Sequence, residues 1–332
     1  MILHPAILAL SVGSLLCCLM LFYAGWYGVR ILTDWDLASG SELQLTLERR
    51  TYLLSTLVAY ALAFQTVSLF LFIFTADRLH PLFTGAMCAA GTLNAAPYGY
   101  QLLILKLVNF LLAGVWLLVN HADTRCYDYP LIRFKYALLL LLVPTILIEF
   151  VLQCGFFLGL HADVITSCCG SLFSLGRAGL AGELAGLPVK PTETVFVGGM
   201  ALTLGCGTVF LRTGRGSYLF SLASFATFAV SIAALISFIC LYIYELPGHH
   251  CPFCLLQGEY GYIGYLLYAT LLGGAVTGLA VGVLTPFRRR GSMVRVIPSL
   301  QRRLTAISLL LYLVFCCLSA YNIIFSSFRL DG

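Results

Sequence analysis

The sequence predicts an all-α membrane protein, a polytopic bundle of about eight transmembrane helices. Only 10% of its 332 residues are charged and 60% are hydrophobic, whereas an ordinary soluble domain has about 25% charged residues. Apolar runs of 20 or more residues occur eight times, and about 20 such residues cross a bilayer as a helix. The runs lack the alternating polarity of an outer-membrane barrel. Backbone hydrogen bonding inside lipid then leaves helices as the spanning element.

The predicted spans follow the apolar runs in chain order. They are residues 5–30, 51–75, 100–120, 136–160, 193–212, 217–245, 259–285 and 304–327. The first run has no basic stretch before it and no small-residue cleavage site, so we interpret it as a span rather than a signal peptide. We expect 1–332 to form one integral membrane domain. Its longest outer loop is 161–193, with a short helix expected around 172–187.

The positions of Lys and Arg predict the orientation. Alternate loops face the same side, and one set holds fourteen of the 19 basic residues. Because cytoplasmic loops are enriched in Lys and Arg, we expect this set to be cytoplasmic and both termini to lie outside. The most basic member, the loop 286–303, is expected to touch anionic lipid headgroups, and nothing supports a nucleic-acid partner. The fourteen residues are Arg30, Arg49, Arg50, Arg125, Arg133, Lys135, Arg212, Arg215, Arg288, Arg289, Arg290, Arg295, Arg302 and Arg303.

The 13 cysteines divide by predicted location. Five lie in the predicted outer loops, together with five of the six histidines. Thiols outside the cytoplasm are usually oxidised or metal-bound, so this group indicates disulfide chemistry or metal binding. These five are Cys88, Cys168, Cys169, Cys251 and Cys254. Seven others fall in spans, where cysteine usually packs as a small hydrophobe. They are Cys17, Cys18, Cys154, Cys206, Cys240, Cys316 and Cys317, while Cys126 lies in a cytoplasmic loop.

The strongest motif runs directly into the seventh predicted span. It reads Glu245-Leu-Pro-Gly-His249-His250-Cys251-Pro-Phe-Cys254-Leu-Leu-Gln257. A helix beginning at this point would place Cys251 against unsatisfied N–H groups that stabilise a thiolate. We therefore expect Cys251 to be the attacking or metal-binding sulfur, and protonated His249 or His250 would strengthen the effect.

The Cys251-Pro-Phe-Cys254 stretch resembles the active-site pair of vitamin K epoxide reductases and, more loosely, of bacterial quinone-linked disulfide-forming membrane proteins. The resemblance implies a redox pair beside a quinone, with loop cysteines relaying electrons to or from a thioredoxin-like soluble partner on the outer side. On this basis Cys251 and Cys254 form the quinone-side couple, and Cys168 and Cys169 are the candidate shuttle. Gln153 and Gln257 are the candidate quinone contacts.

The same atoms also fit a metal site. Adjacent Cys168 and Cys169 either close a strained, reducible disulfide or bind Cu(I), Hg(II) or, with histidine support, zinc. Cys88, which follows Met87, is a third relay thiol or a further ligand. The remaining candidate metal ligands are His161, His249 and His250.

Ionisable residues inside spans are functional candidates in their own right. Lys106 lies about 10 Å inside the outer end of the third span, and Glu149 lies about 20 Å from the cytoplasmic side of the fourth, which is a similar depth. Lys106 either pairs with Glu149 or snorkels toward the outer headgroups. Glu149 is either a structural partner of Lys106 or a group that handles protons or quinone. Gln65, Asn109, Gln153 and Asn322 also fall in the outer halves of their spans.

Three functional hypotheses follow from these residues. A thiol–disulfide oxidoreductase coupled to quinone requires Cys251 and Cys254 within disulfide reach. A protein that handles a soft metal, Cu, Zn or Hg, requires sulfur atoms converging on one point. A non-enzymatic membrane subunit requires only loop cysteines in inert bridges. For all three we expect a bacterial inner membrane, with the cysteine-rich loops facing the periplasm.

Overall fold

The architecture is an all-α polytopic helix bundle, as the sequence predicts. The computed structural model describes residues 4–36, 41–126, 128–161, 164–166, 173 and 180–329. Eight helices in these ranges are long and apolar enough to cross a membrane. The described chain contains no strand, and an isolated bridge joins Thr84 to Ile165. The eight predicted spans are therefore confirmed as helices. Their length and apolar composition suit a bilayer.

The helices of the described chain are named here in chain order. They are α1 (Pro5–Asp34), α2 (Glu42–Leu79), α3 (Ala89–Asn94), α4 (Gly99–Asp123), α5 (Ile132–Leu158), α6 (Leu180–Ala185), α7 (Val189–Thr213), α8 (Ser217–Ala234), α9 (Cys240–Tyr244), α10 (Ile263–Leu284) and α11 (Met293–Phe325). The π-helical turn Leu235–Ile239 joins α8 to α9, so the two form one span. Helix α6 lies inside the range 172–187 where a short helix is expected.

Several helix ends differ from the ends of the apolar runs. Helix α2 begins at Glu42 rather than at 51, and α11 begins at Met293 rather than at 304. Charged residues such as Glu and Arg are good helix formers, so a helix continues past its apolar part. Helix α10 starts later than predicted, at Ile263 rather than 259. Just before it, Gly261 and Tyr262 have φ values of 63° and 55°, which a right-handed helix does not accommodate.

The chain forms two compact units. Unit 1 comprises Met1–Thr75, Ala96–Leu160 and Pro286–Leu300, and unit 2 comprises Ala76–Ala95, His161–Thr285 and Gln301–Gly332. In unit 1, α1 and α4 both pack against α5, around a buried core that includes Trp116 and Tyr136. In unit 2, α7 and α10 both pack against α8.

Small residues bring α8 and α10 close together in unit 2. Gly274, Gly278 and Gly282 recur every four residues along α10 and so share a face. A Cβ atom at Gly278 would collide with Ser224 of α8, and one at Gly282 would collide with Ser221. Close packing of small residues is a main source of helix association in lipid. This seam therefore positions α10 and the loop that precedes it.

We expect Gly278→Val to destabilise unit 2 because the new side chain has no space beside Ser224. Overpacking of this kind typically costs about 1–3 kcal/mol. Gly205→Val in α7 is the matched control, since a Cβ at Gly205 meets no atom within 4 Å. Thermal unfolding in detergent should show a lower Tm for the Gly278 variant only, and equal losses in both variants would contradict this packing.

Candidate functional site

Three cysteines from distant parts of the chain meet in unit 2. The Sγ atoms of Cys88, Cys251 and Cys254 all lie within 4.8 Å of one another. Those of Cys88 and Cys251 are 3.5 Å apart, and all three side chains are buried. We call these three residues the thiol cluster. A disulfide bond is about 2.05 Å long, so modest side-chain rotation brings either neighbour of Cys251 into bonding range.

Two polar side chains position the loop that carries Cys88. Gln257 donates from Nε2 to the carbonyl oxygen of Met87 over 2.8 Å and to Oδ1 of Asp77 over 3.4 Å. The same Asp77 oxygen accepts the backbone N–H of Ala89, at 3.3 Å, where α3 begins. Gln257, predicted to contact a quinone, thus ties the Cys88 loop to the loop of Cys251 and Cys254.

The second loop is fixed by hydrogen bonds to its backbone. Tyr244 donates to the carbonyl of Cys251 and Tyr268 donates to the carbonyl of Pro252, each over 2.6 Å. Nδ1 of His250 lies 2.8 Å from the carbonyl oxygen of Ile236, which belongs to the π-helical turn. The middle of the motif, His250 to Pro252, is therefore anchored to spans of unit 2.

The expected position of Cys251 at a helix N-terminus is wrong. Helix α10 begins only at Ile263, after two short 3-10 turns, Cys254–Leu256 and Gly258–Tyr260. Cys251 therefore does not lie in the first turn of α10, where the sequence places it. A different group adjoins the cluster: Nε2 of His249 lies 3.4 Å from Sγ of Cys254. Its ring meets Tyr244 edge-on, with the ring centroids 4.7 Å apart.

The other predicted ligands are not part of this group. His250 is anchored to Ile236, and His161 is exposed and does not belong to the cluster found among the described residues. Cys168 and Cys169 lie outside the described residues. The described residues on either side of Cys168 and Cys169 contact the loops that carry Cys88, Cys251 and Cys254.

The contacts that flank Cys168 and Cys169 involve both cluster loops. The backbone N–H of Thr166 donates to the carbonyl of Thr84 over 2.9 Å, four residues before Cys88. The ring of Phe173 lies 6.2 Å from that of Phe253, centroid to centroid, and Phe253 stands between Cys251 and Cys254. The described residues on either side of the predicted shuttle cysteines, Thr166 and Phe173, thus contact the loops that carry Cys88 and Cys251.

The remaining cysteines lie where the sequence predicts. The seven assigned to spans all fall within membrane-length helices, and each is a free thiol. Cys126 lies between α4 and α5, buried, with its Sγ 3.7 Å from the Met293 sulfur. Cys17, Cys126 and Cys240 are buried, as expected for small apolar side chains, whereas Cys317 is exposed.

Unit 1 contains a buried polar centre around Glu149 of α5. Nζ of Lys106 lies 2.6 Å from Oε1 of Glu149, and Oε2 accepts hydrogen bonds from Asn109, at 2.6 Å, and from Gln65. Lys106 also donates to Ser68 over 3.3 Å. The predicted pairing of Lys106 with Glu149 is confirmed. The alternative, snorkelling to the headgroups, is wrong because Lys106 is only 1% exposed.

A second buried ion pair escaped the sequence analysis. Nζ of Lys135 lies 2.8 Å from Oδ2 of Asp123, and it also donates to Ser55 and Asn120 over 3.1 and 3.2 Å. The other Asp123 oxygen accepts the N–H of Leu131, at 3.0 Å, just before α5. Lys135 was assigned to a loop because it precedes the apolar run, yet it lies in α5 and is buried. The sequence did contain a signal for this pair, since Asp123 and Lys135 carry opposite charges on either side of a short connection.

Gln153, the other predicted quinone contact, joins two helices of unit 1. Its Nε2 donates to the carbonyl of Leu10 over 3.2 Å and to Ser14 over 3.0 Å. Its Oε1, like Oδ1 of Asn109, is buried without a hydrogen-bond partner among the described residues. The observed bonds make Gln153 a tie between α1 and α5.

We expect Gln257→Leu to slow disulfide formation between Cys88 and Cys251. The change removes the bond to Met87, and a hydrogen bond of this kind contributes about 1 kcal/mol, so the close arrangement should be about 5-fold less populated. The rate would be followed by quenched alkylation of the reduced protein after oxidant is added. Gln153→Leu, which alters a glutamine of unit 1, is the control, and an equal effect on the rate would contradict the positioning role.

Comparison with protein-family models, with curated proteins and with solved structures gave no match for this chain. The functional argument therefore rests on the side chains described above.

Proposed function

We propose that the protein is a membrane thiol–disulfide oxidoreductase and that the thiol cluster is its reactive group. The observation that supports this most directly is the 3.5 Å separation of the Cys88 and Cys251 sulfurs, with Cys254 within 4.8 Å of both. Three buried thiols at these distances can exchange one disulfide among themselves. A purely structural disulfide would need only two of these sulfurs, and the third would have no function beside them.

The exchange step needs no outside electron carrier. The thiolate of Cys254 attacks Sγ of Cys251 in a Cys88–Cys251 disulfide. The Cys251–Cys254 bond forms, the Cys88–Cys251 bond breaks, and Cys88 leaves as a thiolate that takes up a proton. The reverse step passes the disulfide outward to Cys88, so the same three sulfurs serve electron flow in either direction.

The net redox step requires an acceptor, and the motif resemblance supports a quinone. Oxidation of the Cys251 and Cys254 thiols to a disulfide releases two electrons and two protons, which convert a quinone to a hydroquinone. On the other side of the relay we propose a thioredoxin-like soluble partner that exchanges through Cys168 and Cys169. The contacts of Thr166 and Phe173 support that route.

The proposed location is a bacterial inner membrane, with the thiol cluster and both termini on the periplasmic side. The support is the concentration of Arg and Lys in the alternate set of loops. Disulfide exchange also suits an oxidising compartment.

Quinone reduction by the purified protein tests the proposal. The full chain, reduced and freed of reductant, is mixed with a soluble ubiquinone analogue, and the quinone absorbance is followed. We expect one quinone to be reduced per chain by the thiol cluster, and a second where Cys168 and Cys169 also pass their two electrons through it. Cys251→Ser and Cys254→Ser should reduce none. Cys316→Ser, which removes a thiol of α11, is the control and should behave as the parent. Unchanged quinone reduction by Cys251→Ser would overturn the proposal.

The other two hypotheses predict different outcomes in the same experiment. A soft-metal-handling protein would be purified with stoichiometric metal and would not reduce quinone even after EDTA has removed the metal. A non-enzymatic subunit would show neither metal nor quinone reduction. The convergence of three sulfurs favours the metal hypothesis over the structural one, because metal ligands must converge on one point.

A further inference from the structure

We infer that the thiol cluster, when reduced, binds one Zn²⁺ ion through Cys88, Cys251, Cys254 and His249. The effect of this metal on electron transfer, argued below, rests on the proposed function. The metal site itself rests only on the geometry of the four side chains.

The three sulfurs are spaced nearly as zinc requires, and the His249 nitrogen adjoins one of them. Zinc holds thiolates at about 2.3 Å and imidazole at about 2.0–2.1 Å in a tetrahedron. Two sulfurs on one ion are therefore about 3.8 Å apart, and a sulfur and a nitrogen are about 3.5 Å apart. The Cys88–Cys251 separation is 3.5 Å and the His249–Cys254 separation is 3.4 Å. The three sulfurs lie within 4.8 Å of one another, in a group that does not include His249. The imidazole, which adjoins Cys254, must therefore turn toward the other two sulfurs to complete the site.

Burial and charge favour zinc over copper. All three cysteines are at most 4% exposed, and uncompensated charge is costly in such a place. Three thiolates with Zn²⁺ carry one net negative charge, whereas the same thiolates with Cu⁺ carry two. Four protein ligands without an open position are also typical of a closed zinc site.

The residues behind the ligands hold them in place. Tyr244 meets the ring of His249 edge-on and donates a hydrogen bond to the carbonyl of Cys251. Gln257 holds the carbonyl of Met87, next to Cys88. Such outer contacts orient metal ligands and raise affinity. His250 contacts the carbonyl of Ile236 instead. The two adjacent histidines therefore have different roles, His249 as a metal ligand and His250 as an anchor of the loop.

Zinc binding and oxidation of the cluster exclude each other. When Cys251 and Cys254 form a disulfide, two electrons leave their thiolates for the quinone, which takes two protons from water. One S–S bond forms, two Zn–S bonds break, and only Cys88 and His249 remain as ligands. The ion is then released. Bound zinc therefore holds the cluster reduced and blocks the relay.

Metal content and coordination test the site. The full-length protein in detergent is reduced with a phosphine, loaded with Zn²⁺ alone and passed over a desalting column. We expect one zinc per chain by mass spectrometry, and three sulfurs with one nitrogen by X-ray absorption. His249→Gln and Cys88→Ser should each weaken zinc binding at least about 10-fold. His161→Gln, which changes an exposed histidine, should not.

The results separate the two proposals. The zinc site would be overturned by any one of three results: no zinc is retained, His249→Gln holds zinc as well as the parent does, or copper binds in preference to zinc. The rate of quinone-driven oxidation should fall at least 10-fold with zinc bound and recover with EDTA. If zinc binds as described but metal-free protein reduces no quinone, the proposed function fails and the site stands. If metal-free protein reduces quinone and zinc does not bind, only the site fails. His249→Gln keeps all three thiols, and its elution profile on gel filtration checks that it folds.

Discussion

Replacing Cys254 with serine is expected to trap a Cys88–Cys251 disulfide in nearly every molecule after oxidation. The two sulfurs are 3.5 Å apart, and the variant lacks the thiol that would otherwise attack their bond. In the parent protein the same oxidation should yield mainly the Cys251–Cys254 disulfide. Peptide mapping by mass spectrometry under non-reducing conditions distinguishes the two bonds.

Cys154→Ser is the matched control for the trapping experiment. Cys154 lies in α5 of unit 1, so the variant loses one thiol without touching the cluster and should give the parent's bonding pattern. Quantitative alkylation of Cys88 in oxidised Cys254→Ser protein would contradict the relay. It would show that Cys88 does not exchange with Cys251.

Replacing Lys106 with methionine should cost about 3–5 kcal/mol of folding free energy, because it leaves the buried carboxylate of Glu149 without its ion-pair partner. The pair is separated by 2.6 Å, and both side chains are buried. The double variant Lys106→Met with Glu149→Leu removes both charges and should recover most of the loss. Thermal unfolding of the single and double variants in one detergent measures the coupling.

Lys190→Met is the control, since Lys190 is exposed in the first turn of α7. It should leave the Tm nearly unchanged, and an equal fall in Tm for Lys106→Met and Lys190→Met would contradict the role of the buried pair. The double variant also separates the two roles considered for Glu149. If it folds and still reduces quinone, the pair is structural. If it folds but reduces no quinone, Glu149 handles protons or quinone.

The spans were predictable because their signal is local. A run of about 20 apolar residues has few structures open to it in lipid, so the eight helices follow from composition alone. The pairing of Lys106 with Glu149 followed from depth, since both lie at one level of neighbouring spans. The Lys135–Asp123 pair was not predicted from depth, because it depends on where α4 ends and α5 begins, and both helices continue past the apolar runs.

The sequence predicted the members of the thiol cluster but not their contact. The Arg and Lys pattern placed Cys88 on the same side as Cys251 and Cys254, yet Cys88 is 163 residues from Cys251 along the chain, and only the fold brings their sulfurs together. The late start of α10 was missed because positive φ at Tyr262 has no composition signal of its own. The role of Gln257 likewise depends on the position of Met87, which only the fold supplies.

The central claim is that Cys88, Cys251 and Cys254 act as one exchange unit. Equilibrating the metal-free protein with mixtures of quinone and hydroquinone, followed by alkylation with isotopically labelled reagents, measures the oxidised fraction of each cysteine. We predict that Cys251 becomes oxidised over one range of quinone ratios and that its oxidised fraction equals the summed fractions of Cys88 and Cys254, because Cys251 belongs to both disulfides of the relay. The seven cysteines of the spans should stay constant. A Cys251 whose oxidised fraction always equals that of Cys254 alone, with no oxidised Cys88 at any quinone ratio, would contradict the claim.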